Sequence, residues 1–166
     1  MDEARFGQQG TITNIWAARG SRPTAVRQTK YEWCYLYAAV EPATGESAAL
    51  IAPNVDTGTM NQFLKILNAE RNANEHILLI MDGAGWHKSK TIKLPAGITV
   101  LLLPPYSPEL NPAENLWHYL RSHYLSNHAY KNYTELFDAG TDAYRKLTPE
   151  VIKSVCRCVY LEKRAD

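Results

Sequence analysis

The chain has 166 residues, with 18 Lys and Arg against 17 Asp and Glu, for a formal net charge of +1. That length suits one domain, and near-neutrality excludes a histone-like protein that would hold nucleic acid by bulk charge alone. With 45% hydrophobic and 21% charged residues the chain is built to bury a core, which excludes disorder, and no apolar run approaches the roughly 18 residues of a membrane span.

Residues 19–30 hold Arg19, Arg22, Arg27 and Lys30 with no acid among them, which reads either as a solvated basic loop or as a DNA-contacting one. Residues 31–41, dense in aromatics, predict a strand that ends at Pro42 and a turn through Gly45. Residues 46–53 predict its antiparallel partner. Met60, Phe63, Leu64 and Leu67 follow helical spacing, with Asp56 or Thr57 as the N-cap. The near-continuous apolar runs 77–81 and 98–103 predict parallel strands buried on both faces, with a short helix between them. Four prolines crowd residues 104–112 and make that stretch stiff and irregular. Helices are then expected from Asn111, over roughly 134–147, and over 149–161, where Thr148 is the cap and Pro149 lies in the first turn. This order predicts an α/β fold: a mixed sheet, antiparallel at the hairpin and parallel at the centre, with helices on both faces. Cys34, Cys156 and Cys158 are too few for a disulfide framework and fit structural thiols in a reducing cytoplasm.

Ligands of open α/β sheets gather beyond the carboxyl ends of the strands, and Asp82 falls there, directly after the 77–81 run. Asp82-Gly83 is also an ordinary turn, and Asp an ordinary helix cap. Glu114 has an equally local explanation: Asn111 as N-cap, Pro112 at N1 and Glu114 at N3 spell a capping box. Asp2 and Glu3 form an acidic pair at the start of the chain. Were three such carboxylates to converge, their repulsion would raise a pKa unless a cation neutralised them, and hard oxygen donors select Mg²⁺ or Mn²⁺. Two such ions about 3.5–4 Å apart can activate water and stabilise the leaving oxygen of a phosphodiester. A metal-dependent phosphoryl-transfer site is thus one option.

Residues 103–121, Leu-Pro-Pro-Tyr-Ser-Pro-Glu-Leu-Asn-Pro-Ala-Glu-Asn-Leu-Trp-His-Tyr-Leu-Arg, closely resemble a motif of DDE-type transposases from bacterial insertion sequences of the mariner-like superfamily. Met1-Asp2-Glu3 resembles that family's Asp-Glu pair on the first strand. Residues 80–87 resemble its Asp block with a trailing His, and Trp16, Gly20 and Pro23 fit a further stretch. The resemblance spans roughly residues 1–130. It implies an RNase H-like fold in which Asp2, Asp82 and Glu114 are the catalytic triad and hold two Mg²⁺ or Mn²⁺ ions. It implies hydrolysis of DNA at transposon ends and joining of the freed 3′-hydroxyl to target DNA: transposition, recombination and integration. Arg19, Arg22, Arg27, Lys30, His87, Lys88, Lys90 and Arg121 are then candidate DNA contacts, Arg121 lying about two helical turns after Glu114. DNA, a second copy of the chain and a separately encoded DNA-reading portion are the implied partners, in the bacterial cytoplasm or nucleoid and with no membrane. Residues 1–166 are expected to form a single catalytic domain without the helix-turn-helix modules of full-length relatives, and with a shortened first strand. The alternatives are a catalytically inactive or domesticated remnant kept as a DNA-binding or dimerisation module, and a general RNase H-like nuclease, which the residue 103–121 block disfavours.

Overall fold

The aromatic-rich segment is buried on both faces, which sets the architecture. The computed structural model describes residues 1–10, 12–24, 26–83 and 91–158. Strand β1 (Asp2–Gly7) pairs antiparallel with β2 (Trp33–Val40), which pairs antiparallel with β3 (Ser47–Ala52). Side chains alternate across β2, so Leu36 and Ala38 enter one core while Tyr37 and Ala39 enter another. At the hairpin Gly45 adopts φ 79°, and a Cβ there would stand 2.1 Å from the Pro149 carbonyl oxygen. Glycine is required at this turn on both counts.

Helix α1 (Thr57–Glu70) buries Met60, Phe63, Leu64 and Leu67, and the Asp56 side chain caps it by accepting from the Thr59 amide. These residues pack on Tyr37, Ala39, Leu79, Met81 and Ile98. Strands β4 (Ile77–Met81) and β5 (Ile98–Leu102) pair in parallel. The opposite core is closed by α2 (Ala113–Leu120), α3 (Tyr133–Arg145) and α4 (Pro149–Val155), whose Leu116, Trp117, Leu120, Leu136, Ala143 and Ile152 meet Ala4, Phe6, Leu36 and Ala38. Helices therefore cover both faces of the antiparallel strands, as the apolar patterning predicted.

Two departures are instructive. The ladder divides into a three-stranded and a two-stranded sheet, and the Met1 amino group bridges them by donating to the Ile80 carbonyl at 2.8 Å. The β4–β5 pair is also not buried on both faces: Leu78 is 57% exposed and Leu101 51%. Helix α1 covers the Leu79–Met81 side, whereas α2 and α3 pack over β1, β2 and β3. Of the stretch between β4 and β5, where a short helix was expected, residues 84–90 lie outside the described residues, as do residues 159–161 of the last expected helix. Helix α4 itself ends at Val155. Among the described residues no helix is long and apolar enough to cross a membrane.

Candidate active site

Asp2 opens β1 and is only 9% exposed. Both its oxygens are engaged: the Glu3 amide donates to Oδ1 at 2.9 Å, and the Trp117 indole Nε1–H donates to Oδ2 at 2.9 Å. Burial raises the Asp2 pKa to about 6, against the lowering effect of those two hydrogen bonds, and the charges of Glu114 and Glu3 raise it further. Glu114 is thus an electrostatic neighbour of Asp2. Trp117, three residues along α2 from Glu114, lies on the same side of the helix. It belongs to the core, as its apolar spacing predicted, but it also fixes the carboxylate.

Asn111 has a role that its local motif hides. Its Oδ1 accepts from the Ala113 amide at 3.2 Å, and its Nδ2 donates to the Met1 carbonyl at 3.3 Å. The expected capping box does not form, because the Asn111 amide already donates to the Pro108 carbonyl at 2.9 Å within the 3-10 turn Pro108–Leu110. That turn takes the donor Glu114 would have satisfied. Glu114 stays exposed, and no hydrogen bond holds its carboxylate among the described residues. Helix α2 begins two residues later than expected, at Ala113.

Asp82 directly follows β4 and is exposed. Burial lowers the pKa of the Met1 amino group, and the charges of Asp2, Glu3, Cys156 and Asp82 oppose that effect. Asp2 and Asp82 thus act on the Met1 amino group, and Glu114 acts on Asp2. Among the described residues, no group of three or more His, Cys, Asp or Glu stands close enough to hold a metal ion. The donor chemistry nonetheless suits a hard divalent cation. The carboxylates are all oxygen donors, and Asp2 is a buried one whose charge is disfavoured chiefly by burial.

Arg121 begins a π turn (Arg121–Leu125) that the helical spacing does not announce, and its Nη2 donates to the Arg5 carbonyl at 3.5 Å. Arg19, Arg22, Arg27 and Lys30 are exposed on the segment between β1 and β2. Two side-chain amides hold that segment to the chain beyond α2. Gln28 donates to and accepts from the Tyr130 backbone at 2.6 and 2.7 Å, and Asn127 does the same with the Thr13 backbone at 3.2 Å in both directions. His87, Lys88 and Lys90 lie outside the described residues.

Residues 1–137 match the family described as DDE superfamily endonuclease. The chain belongs to that family. An uncharacterized protein of Sinorhizobium fredii, y4pE/y4sA, is 39% identical over 118 residues, covering 71% of this chain and 87% of the relative. Among solved structures, a pre-cleavage Mos1 transpososome matches at TM-score 0.67 and 15% identity, covering 93% of this chain and 50% of Mos1. The Mos1 mariner paired end complex with Mn matches at 0.66 and 14%, covering 93% and 49%. The Mos1 strand transfer complex matches at 0.62 and 16%, with the same coverage. The fold is RNase H-like, and the chain spans about half the length of these Mos1 chains.

Proposed function

We propose that residues 1–166 form a single DDE catalytic domain of a mariner-like transposase, with Asp2, Asp82 and Glu114 as its catalytic and metal-binding triad. Its reaction is cleavage of DNA at transposon ends followed by transfer of the 3′-hydroxyl to target DNA. The observation that carries this reading is the freedom of Glu114. Its own helix start does not engage it, and it stands in electrostatic contact with the buried Asp2. Divalent cations bound to these oxygens, Mg²⁺ or Mn²⁺, would supply the Lewis acidity for in-line attack at phosphorus.

The chain's own part is positioning. Trp117 orients Asp2, Asn111 ties the start of α2 to Met1, and β4 delivers Asp82 to the same junction. Arg121 and the basic segment 19–30 contact phosphates, joined by His87, Lys88 and Lys90. DNA is the partner, together with a second copy of the chain and a separately encoded DNA-reading portion, in the bacterial cytoplasm or nucleoid. That Mos1 was solved as paired-end complexes with Mn and with Mg supports both the metal and the DNA.

One observation favours an inactive, DNA-binding remnant: both Asp2 oxygens already accept hydrogen bonds. Strand-transfer assays separate the two readings. Purified protein given pre-cleaved transposon ends and Mn²⁺ is expected to join strands, and Asp82→Asn to abolish joining. Equal DNA binding by wild type and variant, with no cutting or joining by either, would establish the remnant instead.

A further inference from the structure

Tyr106 stands fully in solvent, 101% exposed, with its backbone in the left-handed region at φ 59°. That conformation drives Cβ towards the following carbonyl oxygen and is unfavourable for a bulky side chain. Asn127 is the other non-glycine residue with positive φ among those described, also at 59°. There the residue suits the backbone: Asn tolerates this region, and its side-chain amide is clasped to Thr13. Tyr106 has no such compensation. At full exposure its ring gains no packing from the fold.

The flanking residues impose the conformation. Pro104 and Pro105 precede Tyr106, and Ser107-Pro108 follow it, so ring closure fixes φ on both sides. Downstream, the Leu110 amide donates to the Ser107 carbonyl at 3.1 Å and the Asn111 amide to the Pro108 carbonyl at 2.9 Å. The backbone that carries the ring is therefore held at a fixed point.

That point lies between two carboxylates of the proposed triad. The Leu103 amide donates to the Met81 carbonyl at 2.8 Å, which carries the β4–β5 pairing one residue further. Met81 lies opposite Leu102 in the parallel register, so Leu103 comes level with Asp82. Tyr106 follows three residues later, within about 10 Å of extended chain. On its other side the segment runs to Asn111, tied to Met1, and then into the helix of Glu114. Asp82 and Glu114 are both exposed, and a bare aromatic ring stands on the segment that joins them.

An aromatic side chain stacks on the face of a base whatever the sequence. Inside a duplex each base face is covered by its neighbour. A cut end differs, because its last base pair keeps one bare face, directly beside the terminal 3′-hydroxyl.

We infer that Tyr106 is a positioning residue for a cut DNA end. Its ring stacks on the bare face of the terminal base pair and stops the duplex where the 3′-hydroxyl meets Asp82 and Glu114. The inference rests on the reading that the chain joins cut ends, and it adds recognition of the end itself.

The test uses the full chain and a blunt transposon-end duplex with 2-aminopurine at its 3′ terminus, whose fluorescence falls when an aromatic ring stacks on it. Ca²⁺ replaces Mn²⁺, so that binding is read apart from joining. Wild type and Tyr106→Trp should quench the terminal probe and leave the same probe in mid-duplex unchanged. Tyr106→Asn should bind the duplex without quenching. In Mn²⁺ and saturating DNA, Tyr106→Asn should slow joining at least about fivefold, the lower worth of one base–aromatic stack, and Tyr106→Trp should join nearly as fast as wild type. The melting temperature of Tyr106→Asn should equal or exceed that of wild type, whereas a merely structural tyrosine would lower it on removal.

Two results overturn the inference: a terminal probe that wild type does not quench or that Tyr106→Asn quenches equally, or joining that Tyr106→Asn leaves unchanged. The two readings also fail separately. Quenching that depends on Tyr106, with no joining by wild type in Mn²⁺, removes the joining reaction and keeps the contact with the end. Joining that does not depend on Tyr106 removes the contact and keeps the reaction.

Discussion

Replacing Asp2 by Asn is expected to make the protein more stable at pH 7, although Asp2 heads the proposed triad. The folded-state pKa is raised from 3.8 to about 6, with burial as the first cause. The folded state therefore binds a proton more tightly than the unfolded state. This contribution favours folding fully below about pH 4 and is lost as pH rises through about 6. At pH 7 the ionised carboxylate destabilises the fold by about 3 kcal/mol relative to its protonated form. Asn removes the charge but has one acceptor oxygen where two donors converge, the Glu3 amide and the Trp117 indole. The lost hydrogen bond costs about 1–2 kcal/mol. A net gain of about 1–2 kcal/mol remains, a rise in Tm of roughly 2–6 °C for a chain of this size. Thermal unfolding followed by circular dichroism at pH 7 and pH 4 checks it. The gain should vanish or reverse at pH 4, where Asp2 is already protonated in the wild type. Equal destabilisation by Asp2→Asn at both pH values would refute the burial argument.

Three further predictions follow from the same contacts. Trp117→Phe should lower stability by about 2–3 kcal/mol through loss of a hydrogen bond to a charged group and of packing, and should push the Asp2 titration higher still, read by NMR. Glu114→Gln, at an exposed position, should change stability by less than about 0.5 kcal/mol, lower the Asp2 pKa by removing a repelling charge, and abolish Mn²⁺-dependent strand joining. The double variant Gln28→Ala and Asn127→Ala should release the basic segment, seen as faster hydrogen exchange and proteolysis over residues 13–31, while α1 stays protected.

Helix α1 was legible because its information is local: four apolar residues at helical spacing and an Asp at the cap specify both face and start. The hairpin and the parallel pair were legible for the same reason. Asn111 was not, since a capping motif records its neighbours in sequence and not its grip on Met1, 110 residues away. Trp117 was assigned correctly to the core, but its indole N–H became meaningful only once Asp2 lay beneath it. The exposure of Leu78 and Leu101 was hidden because an apolar run reads alike whether one face is covered or both. The π turn, where Arg121 leaves the regular helical path, carries no spacing pattern of its own.

These particulars converge on α2 as the element that organises the site. It begins at the end of a proline-stiffened segment leading out of β5, and Asn111 ties that start to Met1. One turn on, Trp117 holds Asp2, while Glu114, between the two anchors, is left free of its own cap. A displacement of α2 would therefore move the support of Asp2 and the position of Glu114 together, which keeps their relation constant. Asp2 bears the cost of that arrangement, chiefly through burial of its charge, with repulsion from Glu114 and Glu3 adding to it. A divalent ion that neutralised Asp2 would remove the penalty that Asp2→Asn removes, which is why stabilisation by Mn²⁺ should be large in the wild type and small in that variant.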